Sequence, residues 1–196
     1  MKYFLKARDI ILYPVQTWEK IISEHDFKFL ALYPVMLSIV QAVSIFIGYW
    51  LVGLRIGTVG YFRMSFINAF YSAVAAYILG LIGIIAGGFL ILVIANYFSA
   101  ECDIYNAMKL AVYSSSAPLL SGIFHIIPGV RILMILGLYG IYVLYIGLPK
   151  IIKTTHEKEQ PLLFSSVISS VILMIIVNFL INQYIFGIVY SDILTY

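Results

Sequence analysis

The 196-residue sequence predicts an all-α, polytopic membrane protein: five transmembrane helices preceded by an N-terminal amphipathic interfacial helix. Three observations carry this. Hydrophobic residues make up 63% of the chain and charged residues 11%, against about 25% charged in an ordinary soluble domain. Mean hydropathy is +1.03. The few charges are also clustered, and between the clusters lie five apolar runs of spanning length, which is about 20 residues for a helix. Twelve basic and nine acidic side chains could not solubilise so much apolar surface. A soluble enzyme and a disordered chain are thereby excluded. The net charge of +3 is too small and too dispersed for a phosphate-binding face, so no nucleic-acid partner is expected. Cys102 is the one cysteine, which leaves no internal disulfide and no thiolate zinc pattern. No metal and no cofactor is expected.

Residues 1–27 form the amphipathic segment. Phe4, Ala7, Ile11, Val15, Trp18 and Ile22 recur every three or four positions, with Lys6, Asp9, Gln16, Lys20 and Glu24 largely elsewhere on the wheel. Pro14 lacks an N–H and clashes with the preceding turn, which predicts two short helices with Pro14 in the first turn of the second. The expected position is the headgroup layer, with Trp18 and Ile22 as interfacial anchors. Docking onto a partner is the alternative.

Residues 28–196 form the bundle, with spans expected at 29–54, 66–98, 109–128, 131–149 and 161–190. The run from Met64 to Ala100 is the ambiguous one. It would make a helix about 55 Å long, yet it is short for two spans and a turn. The reading is one long, tilted helix. A broken pair hinged around Gly83, Gly87 and Gly88 is the alternative. In the third span, Pro118 deprives the Ser114 carbonyl of its helical donor and predicts a kink. Pro161 is expected to open the last helix.

Lysine and arginine set the orientation. Lys2, Lys6, Arg8, Lys20, Lys28, Lys109, Lys150, Lys153 and Lys158 fall on one side of a five-span arrangement, and Arg55, Arg63 and Arg131 on the other. The N-terminus is expected in the cytoplasm, the C-terminus outside, and the chain in a cell membrane.

The expected membrane interiors contain no Asp, Glu, Lys or Arg. Proton relays and charge-coupled carriers usually place such groups there, so those functions are disfavoured. The polar residues at depth are Gln41, Ser114, Ser115, Ser116, Ser121 and Asn178. They read either as interhelical hydrogen bonds, worth about 0.6 kcal/mol each, or as a polar interior facing a ligand, with Tyr113 and Pro118 framing the serines. Ala76 and Gly80, Gly83 and Gly87, then Gly88, and finally Gly137 and Gly140, suit close helix packing. Tyr139, Tyr142 and Tyr145 repeat every three residues and read as an aromatic face. Glu24, His25, Asp26, Glu101, Asp103, His156, Glu157 and Glu159 read as solvated loop ends, since no HExxH-like spacing occurs. Ser114 has no His or Asp at its depth, and His125 lies near the outer end of its helix beside Pro128, which argues against a hydrolytic triad.

Val112 to Pro118 (VYSSSAP) resembles the "GYS…P" segment of the Yip family, the Ypt/Rab-interacting membrane proteins. Ile10 to Ile22 (IILYPVQTWEKII) is similar to the entry segment of its prokaryotic members. Ser99 to Asp103 and the IIPGVR stretch beginning at Ile126 fit as well. Val112 stands where the family has glycine. Leu12-Tyr13-Pro14 is the nearest counterpart of the eukaryotic DLYGP motif, so Rab binding is not implied. The resemblance implies five spans, a cytoplasmic N-terminus and a non-enzymatic role in membrane organisation. Such a role would work through membrane lipids or membrane-protein partners, a second copy included. A transporter or channel-like protein for a neutral or lipophilic solute, using Gln41, Ser114 to Ser116 and Asn178, is the alternative. A membrane-embedded enzyme is the third.

Overall fold

The structure, a computed structural model, describes residues 2–56, 60–126 and 128–194. Met1 and Tyr196, the outer limits of the two expected domains, and Ile127 of the IIPGVR stretch lie outside the described residues.

Two short helices, α1 (Lys2–Leu12) and α2 (Pro14–Ile22), form an antiparallel hairpin whose turn is Tyr13 and Pro14. Thr17 Oγ1 donates to the Asp9 carbonyl across that turn, at 2.9 Å. The hairpin buries Ala7, Ile10, Pro14, Trp18 and Ile21. This face is rotated from the stripe read in the sequence: Phe4, Val15 and Ile22 are exposed. Trp18 is therefore no headgroup anchor. Its ring fills the space that a Cβ on Gly147 would need, and its Nε1 donates to the Val143 carbonyl at 3.0 Å.

Asp26 caps the next helix, α3 (Phe27–Ile47), by accepting from the Phe29 N–H. Its last turn widens into a π-helix, Gly48–Val52, and Gly53 ends it at φ 97°, a conformation glycine adopts without strain. A small antiparallel hairpin follows, β1 (Leu54–Ile56) and β2 (Gly60–Phe62), with Leu54 paired to Phe62. Ser65 caps α4 (Phe66–Tyr97), which is one unbroken helix about 48 Å long. Gly83, Gly87 and Gly88 lie inside it without a hinge. Ser99, at φ 55°, closes it, and the Ala100 N–H returns to the Ala95 carbonyl.

The segment expected to cross over 109–128 is broken, as Pro118 predicts, but it starts earlier and ends in a tighter helix: it consists of α5 (Ile104–Ser114), α6 (Ser116–Ser121) and a 3-10 turn, Gly122–His125. The break is at Ser115, three residues before Pro118, because the proline ring collides with the carbonyl four residues back, that of Ser114. The whole segment still runs alongside α3. Ser116 meets Tyr33, Gly122 lies on Gln41, and Gly48 lies on the His125 carbonyl.

The next segment also differs. Pro128–Leu138 is 3-10 helix, and α7 (Tyr139–Ile151) begins only after it, so 131–149 is not a single α-helix. The three-residue period of the 3-10 form brings Met134, Gly137 and Gly140 onto one line facing α6. Finally α8 (His156–Leu194) starts five residues before Pro161. Proline near a helix start forfeits only one backbone bond, so it does not have to open the helix.

Four helices are long and apolar enough to cross a membrane by length and composition: Phe27–Val52, Phe66–Tyr97, Ile132–Ile151 and Glu157–Ile185. Their outward surfaces are large and apolar, as at Ile82 and Val93 of α4 and Ile175 and Phe179 of α8. Lipid, unlike water, accommodates such a surface. On α4 the inward face is the reverse: Ala69, Ala73, Ala76, Gly80, Gly83 and Gly87 turn toward the other helices.

Candidate functional site

Two packed clusters divide the interior. The basal one, at the end that carries Asp26, Asp103 and Lys150, centres on Trp18, Tyr33, Leu37, Leu110, Tyr113 and Leu148. The Tyr33 and Tyr113 rings lie 5.0 Å apart, and Trp18 meets Tyr113 edge-on at 6.0 Å. Ser116 Oγ donates to the Tyr113 carbonyl at 2.6 Å, which leaves it free to accept from the Tyr33 hydroxyl at 2.7 Å. Lys109 is only 1% exposed. Its ammonium donates to the Ile21 and Ile22 carbonyls at 3.0 and 3.3 Å and lies 4.8 Å from the Tyr105 ring centre. It thus closes the C-terminal end of α2, where a cation is favoured. The far cluster joins α3, α4 and α8 through Ile45, Tyr49, Ala73, Ala76 and Ile185.

Between the two clusters lies a cavity of about 320 Å³. Its walls are mostly apolar, and its small residues are what make it hollow. Gly80 faces it with nothing within 4 Å of where a Cβ would stand, so Gly80 is not a packing glycine. The other expected packing positions split. At Gly83 a Cβ would lie 2.9 Å from Val177 of α8, at Gly137 2.7 Å from Ser121 Oγ, and at Gly140 2.8 Å from the Pro118 ring, while Gly88 abuts Met108. Gly87 makes only ordinary contacts, with Leu173 and Ala111. One side of the cavity is thin. Pro128–Leu138 packs against α6 and the Gly122–His125 turn rather than along α8, whose residues 172–184 are largely exposed.

The polar residues read from the sequence sort cleanly. Gln41, Ser114, Ser115, Pro118 and Asn178 line the cavity; Tyr113 and Ser116 belong to the basal cluster instead. Ser115 Oγ donates to the Val112 carbonyl at 2.7 Å, and Ser121 Oγ to Pro118 at 2.8 Å. Asn178 is exposed on its outer side and donates to the Met174 carbonyl in its own helix, at 2.8 Å. Ser114 is different: it is 8% exposed, and its hydroxyl has no hydrogen-bond partner among the described residues. A buried hydroxyl left unpaired costs about 1–3 kcal/mol. Ser121, Ser170 and His125 complete the polar lining, and His125 Nδ1 donates to the Gly122 carbonyl at 2.9 Å.

A family model, the Yip1 domain, matches residues 8–181. The chain belongs to the Yip family. It is accordingly a multi-pass integral membrane protein. No curated protein and no solved structure matches it. The Yip1 match takes in the hairpin from Arg8 onward, both interior clusters except Ala7 and Ile185, and every wall of the cavity. The VYSSSAP segment on which the resemblance rested is the stretch where this Yip-family chain changes from α5 to α6. Tyr113 faces the basal cluster and Ser114 the cavity.

At the basal rim, Glu101 N–H donates to the Lys153 carbonyl at 2.9 Å and ties the α4–α5 and α7–α8 connections together. Asp103 caps α5 through the Asn106 N–H at 2.7 Å. Among the described residues no group of three or more His, Cys, Asp and Glu could hold a metal. The side chain of His156 lies outside the described residues. Burial, and then the neighbouring Asp103 carboxylate, push the Cys102 thiol up to about 11.

Sequence reasoning missed Lys109 as a buried group and Gly48, Gly122 and Gly147 as close-approach positions. Lone glycines in these runs carry no repeat, and Lys109 looks like any other loop-end charge.

Proposed function

We propose that this Yip-family protein is non-enzymatic and acts in membrane organisation by holding a lipid in the cavity between α4, α6 and α8. The observation that carries the reading is the cavity itself, whose mostly apolar walls include a few polar side chains, Gln41, Ser115, His125 and Asn178 among them. An apolar pocket with a few convergent polar groups is the usual form of a small-molecule site. The chemistry fits an acyl or prenyl chain bearing one neutral polar group, which Gln41 and Asn178 could reach from either side. A charged ligand fits poorly, because among the described residues the walls carry no Asp, Glu, Lys or Arg. Entry would be sideways, across the thin wall beside α8.

The reading includes a cytoplasmic basal end, supported by the lysines gathered there, five crossings, and a place in the cell membrane of a prokaryote. Reporter fusions at Met1 and Tyr196 test the topology, with opposite compartments expected. A transporter of a lipophilic solute is the second reading. The break at Ser115 favours it, since a discontinuous helix forms a cavity wall. Native mass spectrometry of gently solubilised protein tests lipid holding: a retained lipid mass on the folded protein is expected, and an empty cavity would overturn it.

A further inference from the structure

We propose that the α1–α2 hairpin is a re-entrant element, inserted into the leaflet at the basal face with its tip among acyl chains. The inference does not depend on the cavity. It begins with depth. Tyr139 opens α7, and its hydroxyl donates to the Ile11 carbonyl next to the hairpin tip, at 2.9 Å. The other end of α7 carries Lys150, which meets Val15 and Glu19 at 3.1 and 2.8 Å. Eleven residues separate Tyr139 from Lys150, about 16 Å of helix, and helical side chains lean toward the N-terminus. The Lys150 side chain leans the same way and reaches the Val15 carbonyl, so the tip lies between these two contacts, above the basal end and within that length of helix. Half of a hydrocarbon core is about 15 Å. The packing of α1 against α6, which follows α5 inward from the basal rim, agrees with an inward tilt of the hairpin.

The surface of the tip suits that depth. Leu12 is 60% exposed and Tyr13 58%, and Val15 is exposed beside them. This apolar patch continues onto Tyr142 of α7, part of the outward face of the bundle. The charges of the hairpin are paired where insertion would demand it. Arg8 meets Asp9 at 2.7 Å, Glu19 meets Lys150 at 2.8 Å, and Lys6 meets Glu24. Exposed pairs of this kind do little for stability in water. In a low-dielectric layer an unpaired charge is costly, so the pairing is what entry requires. Lys20, a turn from the end of α2, lies back toward the base. The occupant of the outer face is thus the acyl chains of one leaflet. A hairpin confined to one leaflet occupies area on that side only, which wedges the bilayer.

The test uses the full chain in phosphatidylcholine vesicles, with Cys102→Ser and single cysteines Leu12→Cys, Val15→Cys or Ser23→Cys carrying bimane. Doxyl groups midway along the acyl chain should remove most of the emission at positions 12 and 15 while a headgroup quencher leaves most of it. Position 23 should behave in the opposite way. Stronger headgroup quenching at positions 12 and 15 would overturn the proposal in favour of a hairpin lying on the surface. Labelling of Leu12→Cys by an impermeant maleimide as fast as Ser23→Cys would place the tip in water, or against a soluble partner, and would also overturn it. Val15→Cys keeps the test decisive should the Leu12 variant fail to fold.

Discussion

The two faces of the α5–α6 stretch meet opposite surroundings. On one face Lys109, Tyr113 and Ser116 enter a closed cluster with Tyr33 and Trp18, where each polar atom discussed has a partner. On the other face Ala111 and Pro118, with the small residues of α4 and the 3-10 segment, border a hollow, and Ser114, the last residue of α5, keeps a buried hydroxyl with no partner among the described residues. The difference lies in what arrives opposite the small residues. Gly147 receives the Trp18 ring, Gly88 receives Met108, and Gly140 receives Pro118, so these glycines make close contacts. Nothing arrives at Gly80. Lipid tails are as apolar as leucine, so no hydrophobic force drives a bundle to fill such a gap. A small-residue stripe therefore specifies packing only where a partner side chain is present, and otherwise specifies space.

The largest effect should come from breaking the closed half. Trp18→Ala removes the ring that fills the Gly147 notch and is expected to cost about 3–5 kcal/mol, read as a fall in thermal midpoint in detergent. An unchanged midpoint would mean that the hairpin does not hold the basal cluster. Lys109→Met keeps the stem and loses two charge-assisted bonds, and should cost about 1.5–3 kcal/mol by the same assay. In the hollow half the sign reverses. Ser114→Ala deletes an unpaired buried group and should leave the thermal midpoint unchanged or raise stability by about 1 kcal/mol. At the basal rim the smallest change is chemical. Cys102, with its thiol at about 11, should be alkylated at neutral pH about a hundredfold more slowly than an ordinary thiol, with the rate rising about tenfold per pH unit until the thiol ionises.

The same contrast explains what could be read in the sequence. The long apolar helices were legible because polar residues mark their starts: Asp26, Ser65 and Asp103 cap the helices that follow them. The membrane class and the family were legible as well. Local pattern failed where a long-range partner decides. The hairpin is apolar on two faces, so its periodicity could not tell the buried Ile10 and Ile21 from the exposed Phe4 and Ile22. Pro118 announced the break at Ser115, since the ring acts on the Ser114 carbonyl four residues back, but nothing local announced the 3-10 helix of Gly122–His125 and Pro128–Leu138. Gln41, Ser114, Ser115, Pro118 and Asn178 share the cavity because α3, α6 and α8 surround it, whereas Ser116 leaves that group for Tyr33. Neighbours in sequence took different faces, and only the fold decides which.

The central claim is that the space beside Gly80 is a lipid site rather than a packing defect. Gly80→Leu tests it most directly, because a Cβ there meets no atom within 4 Å and Gly80 lines the cavity, so the larger side chain would take up part of that space. Native mass spectrometry of the original and the variant, solubilised alike, supplies the measurement. The account predicts a retained lipid mass on the original protein, its loss from Gly80→Leu, and an equal or higher thermal midpoint for the variant. The same lipid occupancy in both would contradict it.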